Sequence, residues 1–280
     1  MLPDLQASTA VLALSRPLKA AVKRVDCFIA QSQFIRIMHR QMGLQIPMEY
    51  IPSFVPLSED SSTPSSLSPH EISKDPFFLF VGRLQKLKGL QTLIPIFRRY
   101  PKAQLWIART GDDEPWLRQM AGGIPNIRFL GYLPGPKMQP LYRNATAVIV
   151  PSICFEASPL VIFEAFREQT PVILRNLGGL PEMVEQARSG FIYNTEEELV
   201  AAMDRLLSDL SYRQELGRTD HKTCEYSLTY LSSKFIISFL KCFNRNCLRE
   251  FSNSEPSRRR KNVWSFHLGS SKISIQDNLS

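Results

Sequence analysis

Between residues 77 and 209, short apolar runs alternate with longer stretches whose apolar positions fall three and four apart. The short runs, 77–81, 105–108, 127–130, 147–150, 172–174 and 191–193, are apolar at nearly every position. Strands of that kind are buried on both faces, as in a parallel sheet covered by helices. The longer stretches predict helices at 89–99, 115–121, 137–144, 159–168, 181–187 and 196–208. Pro115, Pro159 and Pro181 suit first helical turns, where a missing N–H leaves no bond unmade. Thr195 and Glu198 have the spacing of a capping box. Pro95 and Pro140 fall inside two of the helices, where a kink or early break is expected. Strict alternation of strand and helix predicts an α/β fold, a Rossmann-like doubly wound parallel sheet. Such sheets bind ligands at the carboxyl ends of their strands.

The flanks read differently. Residues 1–57 predict a helix at 15–24, an apolar strand at 25–30, a second helix carrying Phe34, Ile35, Ile37, Met38 and Met42, and a short strand at 48–51. That is a partial α/β unit. Residues 58–76 hold seven serines and three prolines and read as a linker. The sheet-forming domain spans 77–210, and 211–280 reads as a helix region whose period fades after about Phe243, followed by a basic tail. Residues 244–280 are therefore expected to be disordered.

Composition excludes a few classes. Apolar residues make up 44% of the chain and charged residues 21%, ordinary for a globular protein. No run of 18 apolar residues is present. The net charge of +8 is unevenly placed, because residues 211–280 hold twelve Lys or Arg against six Asp or Glu. That basic tail, centred on Arg258 to Lys261, suits peripheral contact with an acidic membrane surface, although a solvated tail is the plainer reading. It implies no specific nucleic acid. The five cysteines are scattered without metal-ligand spacing, as in a protein of the reducing cytoplasm or the inner face of a membrane.

Two loops carry candidate chemistry. After the strand at 77–81 come Gly82, Arg83 and, five residues later, Lys88. Glycine lets the chain turn, and two cations at a strand end can converge on phosphate oxygens; two surface cations are the alternative. After the strand at 147–150, Ser158 and Pro159 predict a helix start, with Glu156 just ahead of free backbone N–H groups. Glu164 lies in a helix flanked by Leu160, Val161, Ile162, Phe163, Ala165 and Phe166, which reads as buried all round. A lone buried carboxylate needs a partner, either a ribose diol or an internal arginine.

At this point the sequence resembles the C-terminal, donor-binding domain of family 4 retaining glycosyltransferases of the GT-B fold. The matching residues are Val81-Gly82-Arg83-Leu84 with Lys88-Gly89, then Phe129-Leu130-Gly131-Tyr132. Pro151-Ser152 with Glu156, Pro159-Leu160 and Glu164-Ala165 follow, then Thr170-Pro171-Val172 and Gly178-Gly179-Leu180-Pro181-Glu182. The resemblance implies transfer of a sugar from a nucleotide diphosphate sugar with retention at the anomeric carbon, and no metal or other cofactor. It implies that Arg83 and Lys88 hold the diphosphate and Gly82 shapes their turn. Tyr132 and Leu133 would meet the base, and Glu164 the ribose. Glu156 would act at the reacting end of the sugar, beside backbone groups of Ser158, Pro159 and Leu160. The acceptor, a sugar or a lipid-linked glycan, is left open. The short segment 1–57 resembles only the end of an N-terminal domain, which implies a donor half that needs a partner chain for its acceptor side. Two turns depart from the family pattern: Ala108-Arg109-Thr110-Gly111 replaces Gly-x-Gly, and Arg167-Glu168-Gln169 replaces a glycine-containing turn.

Overall fold

The computed structural model describes residues 25, 28–44, 47–53 and 75–218, and the backbone of two strands within 263–276. The predicted helix at 15–24, nearly all of the Ser/Pro-rich segment and the basic run at 258–261 lie outside them. Six strands form one parallel sheet: β3 (Phe77–Val81), β4 (Gln104–Ala108), β5 (Ile127–Gly131), β6 (Ala147–Val150), β7 (Val172–Arg175) and β8 (Gly190–Tyr193). Their order across the sheet is β5-β4-β3-β6-β7-β8. The chain thus runs from the centre to one edge, returns, and runs to the other. The expected α/β doubly wound fold is present, with strand limits within a residue of the predicted ones.

Alternating residues of the strands feed two cores. Phe78, Phe80, Leu105 and Ile107 face α2 (Leu90–Arg98) and α7 (Glu196–Ser208), where Leu93, Phe97, Leu199 and Met203 are buried. Phe77, Leu79, Trp106 and Val148 pack on the opposite face with residues of α4 (Gly135–Asn144), α5 (Leu160–Arg167) and α6 (Leu180–Ala187). This two-sided burial is the reason the strands carry no polar alternation. A further helix, α3 (Glu114–Met120), follows β4 and buries Leu117.

One expectation is corrected. Neither Pro95 nor Pro140 breaks its helix. An interior proline costs about 3 kcal/mol, but α2 buries Leu90, Leu93, Ile94, Ile96 and Phe97, each worth roughly 1.5–3 kcal/mol. Packing wins. Helical backbone also continues past residue 210. Residues 210–218 are helical, Tyr212 packs edge-on to Phe191, and Ser189 Oγ donates to Leu216 O at 2.8 Å. Within 263–276 two strands, β9 (Val263–Leu268) and β10 (Ser271–Gln276), pair antiparallel with Trp264 opposite Ile275 and Phe266 opposite Ile273. Alternating apolar positions on either side of Gly269-Ser270 carry that hairpin. It belongs to a separate unit, 239–280.

In the N-terminal segment β1 (Phe28–Ala30) pairs in parallel with β2 (Met48–Tyr50) across α1 (Gln33–Gln41). Ser32 caps α1 by accepting from Ile35 N at 3.2 Å. Among the described residues no helix is long and apolar enough to cross a membrane.

Candidate active site

The strand order reverses between β3 and β6. At that switch point of an open α/β sheet the loops leave in opposite directions and open a crevice at the carboxyl ends. Here the two loops, 82–89 and 151–159, are sewn together. Ile153 N donates to Leu87 O at 2.9 Å. Gly89 adopts φ 76, and a Cβ there would lie 2.0 Å from Pro151 O, so this position requires glycine. Gly82, expected to be the turn-maker, has no such demand: a Cβ there meets only the edge of Phe80 at 3.4 Å. The close approach occurs seven residues later because the turn is a short 3₁₀ helix, Lys86–Lys88, ahead of α2. Lys88 therefore ends that turn and does not begin the helix.

Lys88 and Glu156 are 68 residues apart in sequence, and the fold brings them together. Lys88 Nζ lies 2.6 Å from Glu156 Oε1, and Ser152 Oγ donates to the same oxygen at 2.9 Å. Glu156 Oε2 carries none of these bonds. Burial, and then the charge of Glu156, push the Cys154 thiol up, so it stays protonated beside the pair. Arg83 is exposed, and its side chain has no hydrogen-bond or ion-pair partner among the described residues.

The helix start is one residue later than expected. α5 begins at Leu160 with Pro159 at the cap position, and no side chain caps it, so Ser158 is not the N-cap. The backbone of Gly178-Gly179 occupies the space beside this loop, with Gly179 N donating to Glu156 O at 2.8 Å. Pro159 has no N–H, which leaves Ser158 and Leu160 as the backbone donors of the expected trio.

Glu164 departs further from the sequence reading. α5 is apolar all round, yet only Ile162, Ala165 and Phe166 are buried, and Leu160 is 53% exposed. Val161 and Phe163 are partly buried against the core, and Leu160 faces outward. Glu164 is half-buried, and its protein partner is neither arginine nor void but the phenol of Tyr142, which donates to Oε2 at 2.5 Å. Tyr142 is buried, and burial, then the charge of Glu164, hold its phenol well above the usual tyrosine range. Sequence reading missed Tyr142 because it sits mid-helix among core residues, where tyrosine usually means packing.

Tyr132 and Leu133 follow Gly131 at the end of β5. Tyr132 is 65% exposed, and the Arg109 guanidinium lies 5.6 Å from its ring centroid. On the other side of the crevice Glu182 accepts at both oxygens, from Gln33 N at 2.8 Å and Phe34 N at 2.5 Å, at the start of α1. A small cleft between these segments is lined by Ser32, Tyr50, Ser158, Phe163 and Gln186 among others.

Residues 75–209 match the family described as glycosyl transferases group 1. These residues form a glycosyltransferase group 1 domain. The chain is 35% identical over 147 residues to an uncharacterized glycosyltransferase of Methanocaldococcus jannaschii, covering 49% of this chain and 37% of that protein. It is 27% identical over 155 residues to the sulfoquinovosyl transferase of Arabidopsis thaliana, covering 54% and 30%. The chain thus spans about a third of the length of these relatives. Among solved structures, sucrose-phosphate synthase from Thermosynechococcus elongatus superposes with a TM-score of 0.67 at 21% identity, over 85% of this chain and 66% of that one. The Anabaena protein HepE, solved with UDP and glucose, superposes with a TM-score of 0.67 at 19% identity, over 85% and 70%. The glycosyltransferase domain therefore has the GT-B Rossmann-like fold.

Proposed function

We propose that the group 1 domain binds a nucleoside diphosphate sugar in the crevice between the β3 and β6 loops and transfers its sugar with retention, without a metal ion. The observation that carries this is the pairing of Lys88 with Glu156 at the switch point, beside an Arg83 with which no acid among the described residues pairs. Transfer breaks the bond between the anomeric carbon and the diphosphate oxygen, and the electron pair leaves on phosphate. A new bond forms to an acceptor oxygen, whose proton passes to the departing phosphate. Charge grows on the diphosphate during that step, so cations fixed beside it stabilise the transition state. Arg83 supplies a fork for two phosphate oxygens, and Lys88, held by Glu156, a point charge. Glu156 Oε2 and the N–H groups of Ser158 and Leu160 would take the sugar hydroxyls. Glu164 would take a ribose hydroxyl at the oxygen Tyr142 leaves free. The bound UDP and glucose of HepE, a structural neighbour, support a donor of this class.

Charge-assisted hydrogen bonds contribute about 1.5–3 kcal/mol each. Arg83→Ala should therefore weaken UDP or GDP binding by about tenfold or more and barely change the binding of the nucleoside. Titration calorimetry on both ligands decides it. Equal losses for nucleotide and nucleoside would remove Arg83 from the phosphate site.

A further inference from the structure

Arg109 stands immediately after β4 with φ 97, a backbone conformation that residues with side chains rarely adopt. The departure from Gly-x-Gly seen in the sequence falls on this turn, so the chain keeps a glycine's backbone while carrying a large cation. Strain at a ligand-facing strand end is a reason to look for function. The turn is tied down on both sides: Arg109 N donates to Gly131 O at 2.7 Å, and Leu84 N donates to Thr110 O at 3.1 Å. A Cβ at Gly111 would lie 2.4 Å from Leu84 O, which fixes the β4 loop against the loop that carries Arg83.

The side chain is placed as deliberately as the backbone. Its guanidinium lies over the exposed ring of Tyr132 and close enough to Tyr142 to oppose the upward push on that phenol. No carboxylate pairs with it among the described residues. Arg109 therefore lies against Tyr132, at the end of β5, within electrostatic reach of Tyr142, and its guanidinium can only donate.

Resting on the donor-site reading above, we propose that Arg109 selects the nucleobase of the donor, forming with Tyr132 a cationic and aromatic face for a keto-bearing base, uracil or guanine. A guanidinium only donates. Guanine presents O6 and N7 side by side to such a fork, and uracil presents carbonyl oxygens. Adenine places an amino donor where guanine has its carbonyl, so it meets the fork with one acceptor at best. Arginine planes also stack on aromatic rings, which an ammonium does less well.

The test is calorimetry with UDP, GDP and ADP on the full chain, Arg109→Gly and Arg109→Lys, with thermal denaturation alongside. Gln169→Gly is the control, since Gln169 also holds positive φ, 59, but lies at the other end of α5. The full chain should prefer UDP or GDP over ADP by about tenfold or more, the discrimination of one good bidentate contact. Arg109→Gly should lose that preference, with the preferred nucleotide weakened about tenfold and ADP hardly changed. Its Tm should rise by about 2–4 °C as the backbone relaxes. Arg109→Lys keeps the charge without the plane and should lose the preference too. Gln169→Gly should keep it. An Arg109→Gly or Arg109→Lys protein with unchanged affinity and preference overturns the assignment. ADP preferred by the full chain overturns it while leaving the donor reading intact. A chain that binds none of the three nucleotides sinks both.

Discussion

Glu164 and Tyr142 show how one hydrogen bond sets a pH dependence. The phenol is buried, donates to a carboxylate at 2.5 Å, and is held well above its ordinary value by burial first and by Glu164 second. A group whose folded value is raised contributes stability that is complete below its unfolded value, about 10 for tyrosine. That contribution is lost as pH rises from there toward the folded value. Tyr193, pushed up to about 12 by burial, acts in the same direction. The folded chain should therefore show no change from this pair between pH 6 and 9 and lose stability above about pH 10. Tyr142→Phe should flatten that alkaline limb and cost about 1–2 kcal/mol at pH 8, less than a full charged bond because Glu164 is half-exposed to water. Urea denaturation at both pH values measures it, and an unchanged alkaline slope in the variant refutes it. Arg109 and Gln169 make a second point at this scale. Both stand with positive φ, the region that glycine adopts at least cost.

At the scale of elements, α1 is fastened by a side chain from another part of the chain. The first N–H groups of a helix have no intrahelical acceptor. Glu182, in the first turn of α6, supplies two acceptors to Gln33 and Phe34, while Ser32 supplies a third to Ile35. A negative charge at this end is also favoured by the helix dipole. Phe34 packs on Phe155 with ring centroids 5.0 Å apart, so the same fastening steadies the loop carrying Glu156. Glu182→Gln keeps the shape but loses the charge and one acceptor, and should cost about 1–3 kcal/mol. Hydrogen exchange should show faster exchange at Gln33 and Phe34 with β3 and β4 unchanged. Equal protection at those two amides in both proteins would show that Glu182 does not hold α1.

For the molecule as a whole, the consequence of the fold is that binding and stability are linked. The β3 and β6 loops converge only when the six strands are assembled in their reversed order, and an unfolded chain has no such crevice. A ligand that binds only the folded state adds about 2.7 kcal/mol of stability at one hundred times its dissociation constant. UDP or GDP at that excess should raise the Tm of the chain by several degrees, roughly 5–10 °C, and Arg83→Ala at the same concentration should show much less of the shift. A nucleotide that leaves the Tm of the unmutated chain untouched would argue against the crevice as its site.

Much of this was written in the chain itself. Buried strands must be apolar at every position, so 77–81 or 147–150 could be read directly, as could the capping box, where Glu198 N donates to Thr195 Oγ1 at 3.3 Å. The candidate cations and acids were also legible as residue types at strand ends, but the ion pair between Lys88 and Glu156 was not, because it joins loops 68 residues apart. Local pattern could not supply contacts made across the sheet. Glu164 finds Tyr142, Gly89 faces Pro151, and Glu182 reaches α1 over 149 residues of chain, all through the packing of separate elements. Sequence periodicity records which face of an element is apolar but not what that face meets. That is why α5 read as a buried helix and stands instead at the edge of a crevice. The sequence determined the strands, their burial and the residue types at their ends; tertiary structure decided the partners, since a partner exists only once two distant segments occupy the same space.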